Sequence, residues 1–177
     1  MKHQNFIHLR VYSSYSLSEG AVKLPDLIDL CKQKKQPAVA ITDNGNLFGC
    51  LEFATYAKKE GIQPIIGCQL KLEIDDSYGI EKSIILLYVK NEKGYKNLIQ
   101  LVNESFSNKN EEAENYITIN QLKDKSEGLI ALTGGIDGAL GQLLLLPKLD
   151  LAEKFLGELK DIFQDRLYIE ISRHGME

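Results

Sequence analysis

Groups able to do chemistry concentrate in five short polar segments: residues 12–20 (YSSYSLSEG), 42–46 (TDNGN), 67–69 (GCQ), 133–138 (TGGIDG) and 173–175 (RHG). They carry hydroxyls, carboxylates, amides and the imidazole of His174, which serve hydrogen bonding, proton transfer or metal coordination. Upstream of them, His8, Arg10 and Tyr12 recur at every second position, so an extended backbone places all three on one face. Familiar catalytic signatures are absent. There is no GxxxxGK[ST] and no GxSxG, and TGGIDGALG (133–141) is glycine-rich without the lysine of a phosphate cradle. The acidic run at 111–114 (EEAE) reads as a solvated loop. Cys31, Cys50 and Cys68 form no CxxC pair and no even disulfide framework, so they read as reduced, buried thiols.

Composition bounds what those groups can serve. The 177 residues are 44% apolar and 26% charged, as expected for one soluble domain spanning residues 1–177. No apolar run approaches the ~18 residues of a membrane helix, and MKHQNF lacks the apolar core of a secretory signal, so a cytoplasmic location is expected. The net charge of −4 argues against strong autonomous binding to nucleic acid, where Lys and Arg supply most of the affinity.

The elements that must position these groups follow from apolar periodicity. Residues 6–12 alternate as a strand, with Ile7, Leu9 and Val11 inward and Phe6, His8, Arg10 and Tyr12 on the other face. A helix carries Leu24, Leu27, Ile28 and Cys31, with Pro25 in its first turn and Gln36-Pro37 as its stop. The run AVAITD (38–43) is a buried strand ending in a tight loop, and Asn46 caps a helix with the stripe Leu47, Leu51 and Ala54. Further strands are expected at 64–74, 83–89, 128–133 and 167–171. Helices are expected through Tyr95, Leu98, Ile99, Val102 and Phe106, then at 119–123, 140–146 and 150–163, with a polar loop over 107–115. Six strands alternating with crossover helices imply a mostly parallel sheet covered by helices, doubly wound or closed as a barrel. The last strand leaves only six residues, so the chain reads as cut short.

Six segments carry a resemblance: HLRVYSSYSLSEG (8–20), AITDNGNLFG (40–49), GIQPIIGCQL (61–70), NEKGYKNL (91–98), EGLIALTGG (127–135) and LYIEISRHG (167–175). In this order they resemble the amino-terminal PHP (polymerase and histidinol phosphatase) domain of bacterial replicative DNA polymerase III alpha subunits. The resemblance implies an α/β fold, an incomplete distorted (β/α)7 barrel of mostly parallel strands with outer helices, whose remaining strands and polymerase domains lie beyond residue 177. It implies a parent that performs template-directed DNA synthesis with Mg2+. The implied partners are the rest of the alpha subunit and a proofreading exonuclease subunit. DNA would be contacted through the parent rather than strongly through this segment, and no membrane is involved.

In metal-binding members of that family, a histidine-rich first strand and later acidic, histidine and cysteine positions hold divalent metals for phosphoester hydrolysis. Carried over residue by residue, the paired first-strand histidines match Arg10 and Tyr12. A guanidinium stays protonated and offers no acceptor, and a phenol with pKa near ~10 is a poor ligand at neutrality. Glu19 matches an aspartate position, Asn44 a histidine, Gln69 an acidic residue, Ile84 a histidine and Gly135 a cysteine. Only Glu19 keeps a good ligand, so the centre reads as degenerate, with no catalytic residue and no cofactor of its own. Arg10 is expected to pair with Glu19 in place of the ions. His8 matches a flanking position, and Asp43 and His174 are family-signature residues; His8 and His174 are read as structural.

The expected function is a structural and docking module of a replicase. The alternative is a metal-dependent phosphoesterase or 3′–5′ proofreading exonuclease holding Zn, Mn or Fe. A third reading is a stand-alone interaction protein from a split polymerase gene.

Overall fold

The repeat Leu24, Leu27, Ile28 and Cys31 forms the buried face of helix α1 (Leu24–Gln33) in the computed structural model, which describes residues 6–108 and 114–171. The chain divides into two compact units, Met1–Gln69 and Leu70–Glu177.

In the first unit, β1 (Ala38–Ile41) is wholly buried and pairs in parallel with the start of β2 (Gln63–Glu73), in register Ala38 to Gln63 through Ile41 to Ile66. Helices α1 and α2 (Cys50–Lys59) close the core around Val39, Ile41, Phe53 and Ala57. Two expectations are corrected here. Residues 6–12 run extended beside β1 but form no regular strand: Ala40 N and Thr42 N, two residues apart, donate to His8 O and Val11 O, three apart. One extra residue breaks the ladder and the alternation of faces, so Leu9, expected inward, is 42% exposed.

Helix α2 starts at Cys50, after Gly49, rather than at a cap on Asn46. The Asn46 amide is engaged elsewhere, accepting from Phe48 N and donating to the carbonyls of Tyr15 and Asn44. The delayed start turns Cys50, Phe53 and Ala57 inward and leaves Leu51 81% exposed.

The second unit holds the rest of β2 with β3 (Ile84–Val89), β4 (Ile117–Thr118), β5 (Leu129–Leu132) and β6 (Leu167–Tyr168). β2 pairs in parallel with β4, a strand the periodicity did not reveal, and β5 pairs in parallel with β6. β3 and β5 are antiparallel, so the mostly parallel pattern has an exception where two neighbouring strands run opposed. Residues 75–79 form the expected turn, with the Asp75 carboxylate accepting from Ser77 N. β6 is shorter than the expected 167–171; Arg166 steadies its start by donating to Ser126 O and Leu129 O.

Helix α3 (Glu92–Ser107) buries Gly94, Asn97, Leu98, Leu101 and Val102, a stripe rotated from the expected one, with Tyr95 40% and Phe106 48% exposed. The cause is a close approach. A Cβ on Gly94 would sit 1.8 Å from Gly128 O, and Asn97 donates to Glu127 O, so the glycine face must meet the turn before β5. Helices α4 (Ile119–Asp124), α5 (Ala139–Leu145) and α6 (Leu149–Phe163) follow the expected order, α4 opened by a capping box between Thr118 and Gln121.

The corrected register of α2 predicts that Phe53→Ala costs about 3–5 kcal/mol through lost burial and a cavity, while Leu51→Ala stays within about 0.5 kcal/mol. Urea unfolding of both variants checks this, and the reverse order would restore the Leu47–Leu51–Ala54 stripe.

Candidate functional site

The first unit gathers most of the polar groups singled out above. Arg10 Nη2 donates to Gln69 Oε1 at 2.9 Å, Tyr12 Oη donates to the same oxygen at 2.5 Å, and Arg10 Nε donates to Tyr12 Oη at 2.8 Å. Gln69 is 6% exposed, while Arg10 and Tyr12 are half-buried. Three positions matched to metal ligands are therefore bonded to one another, and each described bond runs from a guanidinium or phenol donor into an oxygen a metal would have needed.

Asp43 is the second centre. It is 2% exposed, and its carboxylate accepts from Ser13 N (2.7 Å), Ser13 Oγ (2.7 Å) and Ser16 Oγ (2.6 Å). The Ser16 hydroxyl also accepts from Asn44 N. The loop is held close as well, since a Cβ on Gly20 would lie 2.0 Å from Ser13 O. Gln69 N donates to Asp43 O and Gly45 N to Gln69 O, which ties the β2 backbone to the 43–46 turn. Ser13, Ser16 and Asn46 were missed as site residues. The signal for the serines was there in the run SSYS, which has no apolar partner and faces an aspartate-led turn.

Glu19 is exposed and accepts from Asn44 Nδ2 at 3.0 Å. No ion pair joins it to Arg10 among the described residues, which corrects the expected Arg10–Glu19 pairing: the Glu19 carboxylate accepts from Asn44, and the guanidinium donates to Tyr12 and Gln69. His8 is exposed, its ring edge-on to Phe6 with centroids 4.9 Å apart. Ile84 and Gly135 belong to the second unit, where a Cβ on Gly134 would meet Ile84 O at 2.7 Å. Neither offers a side-chain donor atom. His174 lies outside the described residues.

Tyr15 lies over Gly49, where a Cβ would meet its ring at 2.8 Å, and donates to Glu52 Oε2. That hydrogen bond, then the carboxylate's charge, raises the phenol above its ordinary value. All three cysteines are buried and free. Burial, then the charge of Asp43, pushes the Cys50 thiol up to about 12. Desolvation raises Cys68 as well, and its thiol donates to Asp43 O at 3.3 Å.

Among the described residues the donor set does not fit a divalent cation. A fixed guanidinium lies within hydrogen-bond distance of the Tyr12 and Gln69 oxygens, and the Asn44 amide nitrogen faces Glu19. Among the described residues no cluster of three or more His, Cys, Asp or Glu side chains could share an ion.

A family model described as PHP domain matches residues 8–174, and the chain belongs to that family. Relatives named DNA polymerase III subunit alpha match it in Rickettsia bellii at 43% identity over 97% of this chain, in Caulobacter vibrioides at 39% over 98%, and in Thermus aquaticus at 36% over 97%. The chain spans only 14% to 16% of the length of these curated relatives. Among solved structures, an amidohydrolase from Chromobacterium violaceum aligns with TM-score 0.46 and 21% identity over 57% of this chain and 33% of its own. Among the described residues no helix is long and apolar enough to cross a membrane.

Two predictions follow from the centre. Asp43→Ala strands three donors and should cost about 4.5 kcal/mol, at about 1.5 kcal/mol per bond to a charged acceptor, against about 1–2 for Ser16→Ala; urea midpoints decide, and equal losses would deny Asp43 its anchoring role. The folded state also holds the Cys50 proton more tightly than the unfolded chain does. Its stability contribution is therefore full below the ordinary thiol value of 9.0 and is lost as pH rises from there toward about 12. Unfolding of Cys50→Ala compared with the parent across that range measures the difference.

Proposed function

We propose that this chain is the PHP portion of a bacterial replicative DNA polymerase alpha subunit, serving there as a metal-free structural and docking module. The observation that carries the reading is the interlock of Arg10, Tyr12 and Gln69, in which the oxygens at former ligand positions are consumed by internal donors. A hydrogen-bonded network of this kind does for the loops what bridging ions do elsewhere: it fixes their relative positions, without supplying a Lewis acid or an activated water. On this reading residues 1–177 supply the first part of a PHP-type barrel completed by later strands. The polymerase activity, with its Mg2+ ions, resides in the remainder of a cytoplasmic polypeptide.

The docking role is supported by apolar side chains beside the network. Leu17 is 85%, Phe48 71% and Leu51 81% exposed, next to loops that Asp43 and the Tyr15–Glu52 bond hold rigid. Exposed apolar residues on a pre-organised surface suit protein contact, and the proposed occupant is the proofreading exonuclease subunit.

The test compares two polypeptides. Residues 1–177 alone, purified without chelator, should carry far less than one equivalent of Zn, Mn or Fe and hydrolyse no phosphate ester, whereas the full-length gene product should extend a primed template with Mg2+. Stoichiometric metal together with hydrolysis by the short chain would establish the phosphoesterase reading instead.

A further inference from the structure

Charge is sorted along the two helices of the first unit. α1 carries Asp26 in its first turn and Asp29 one turn on, and α2 carries Glu52 in its first turn, while the lysines gather at the opposite ends. Lys32, Lys34 and Lys35 close α1, Lys58 and Lys59 close α2, and all five are exposed. The two ends meet, because Lys32 Nζ donates to Glu60 Oε2 across the helix pair. Five lysines therefore crowd one end of the unit against Glu60 and Asp29. The chain's net charge of −4 hides this local excess.

Helix electrostatics explains only part of the sorting. Cations are favoured in the last turn of a helix, where Lys32, Lys58 and Lys59 stand, but the effect fades past it. Lys34 and Lys35 lie past it, presented by a turn that Gln36 N closes by donating to Cys31 O. Among the described residues Lys34, Lys35, Lys58 and Lys59 take part in no ion pair. Asp26 is about 12 Å from Lys34 along the axis at ~1.5 Å per residue, beyond a Debye length of about 8 Å, so it does not neutralise that end. Tyr56 adds an aromatic ring. It is 41% exposed and precedes Lys59 and Glu60 by three and four residues, so it shares the α2 face that meets Lys32.

We infer that this end of the first unit is a seat for single-stranded nucleic acid, with phosphates on the lysines and a base on the Tyr56 ring. Compact ammonium charges on flexible stems suit a phosphate backbone without reading its sequence. Lysines beside an exposed aromatic ring are the combination that holds single strands, since every base has a face to stack. An acidic protein surface could use the same charges but brings no base to the ring. The choice of nucleic acid among polyanions rests on the proposed function, whereas the cationic surface does not. With few phosphate contacts the seat is an auxiliary, salt-sensitive hold, compatible with an acidic chain that does not bind nucleic acid strongly by itself.

The experiment titrates the full-length polypeptide with a fluorescent oligo-dT strand, a duplex of equal length and poly-glutamate over a range of salt, with primer extension assayed separately. The variants are Lys34→Gln with Lys35→Gln, Lys58→Gln with Lys59→Gln, and Tyr56→Ala, with Lys93→Gln plus Lys160→Gln in the second unit as control. Each pair at the seat should flatten the slope of log affinity for the strand against log salt by about 1.4, at about 0.7 per phosphate contact. The corresponding Lys→Arg pairs should keep the slope, which separates charge from folding. Tyr56→Ala should weaken the strand at least about fivefold and leave the duplex unchanged. The control pair should change nothing. Unchanged slopes in both seat pairs would overturn the inference and leave the proposed function standing. Equal losses on strand and duplex with Tyr56→Ala silent, or equal losses on poly-glutamate, would overturn it too, the latter assigning the surface to an acidic protein. The strand response in a polypeptide that extends no primer would keep the seat and remove the parent reading.

Discussion

One amide oxygen organises the first unit. Gln69 Oε1 accepts from both Arg10 and Tyr12, and the Gln69 backbone is bonded on either side to Asp43 and Gly45. Two segments nearly 60 residues apart in sequence thus meet at a single buried side chain. A neutral acceptor is what the guanidinium can use here at modest desolvation cost, because Arg10 keeps partial solvent access. The donor–acceptor set ties Arg10 and Tyr12 to the end of the first unit's β2 segment.

Asp43 does the complementary work. Its charge is satisfied by one backbone and two hydroxyl donors, so the 13–16 loop cannot leave without exposing a buried carboxylate to an unpaired state. Cys68 lies beneath the same turn, its thiol against the Asp43 and Asn46 carbonyls. The bonded polar loops and the core of β1, α1 and α2 are therefore built on the same segments, and the exposed Leu17 and Phe48 sit on those loops.

Much of this was readable beforehand. The α1 face, the buried β1 and β3, and the order of helices in the second unit follow from apolar spacing and capping residues. What escaped periodicity were tertiary decisions. The extra residue between His8 and Val11 depends on how β1 presents its amides, the α2 register on where Asn46 spends its side chain, and the α3 rotation on the approach of Gly94 to Gly128. The two-residue β4 is too short to carry a pattern. At the centre, residue types alone indicated that Arg10 and Tyr12 are poor ligands, but they could not say that the guanidinium would choose Gln69 over Glu19.

The most direct test is a crystal structure of the protein grown with excess Zn2+ or Mn2+ and examined by anomalous scattering. The account predicts no ordered metal among Arg10, Tyr12, Asn44 and Gln69, and a guanidinium still bonded to the Gln69 oxygen. A well-occupied ion there, with Arg10 swung out to solvent, would contradict it.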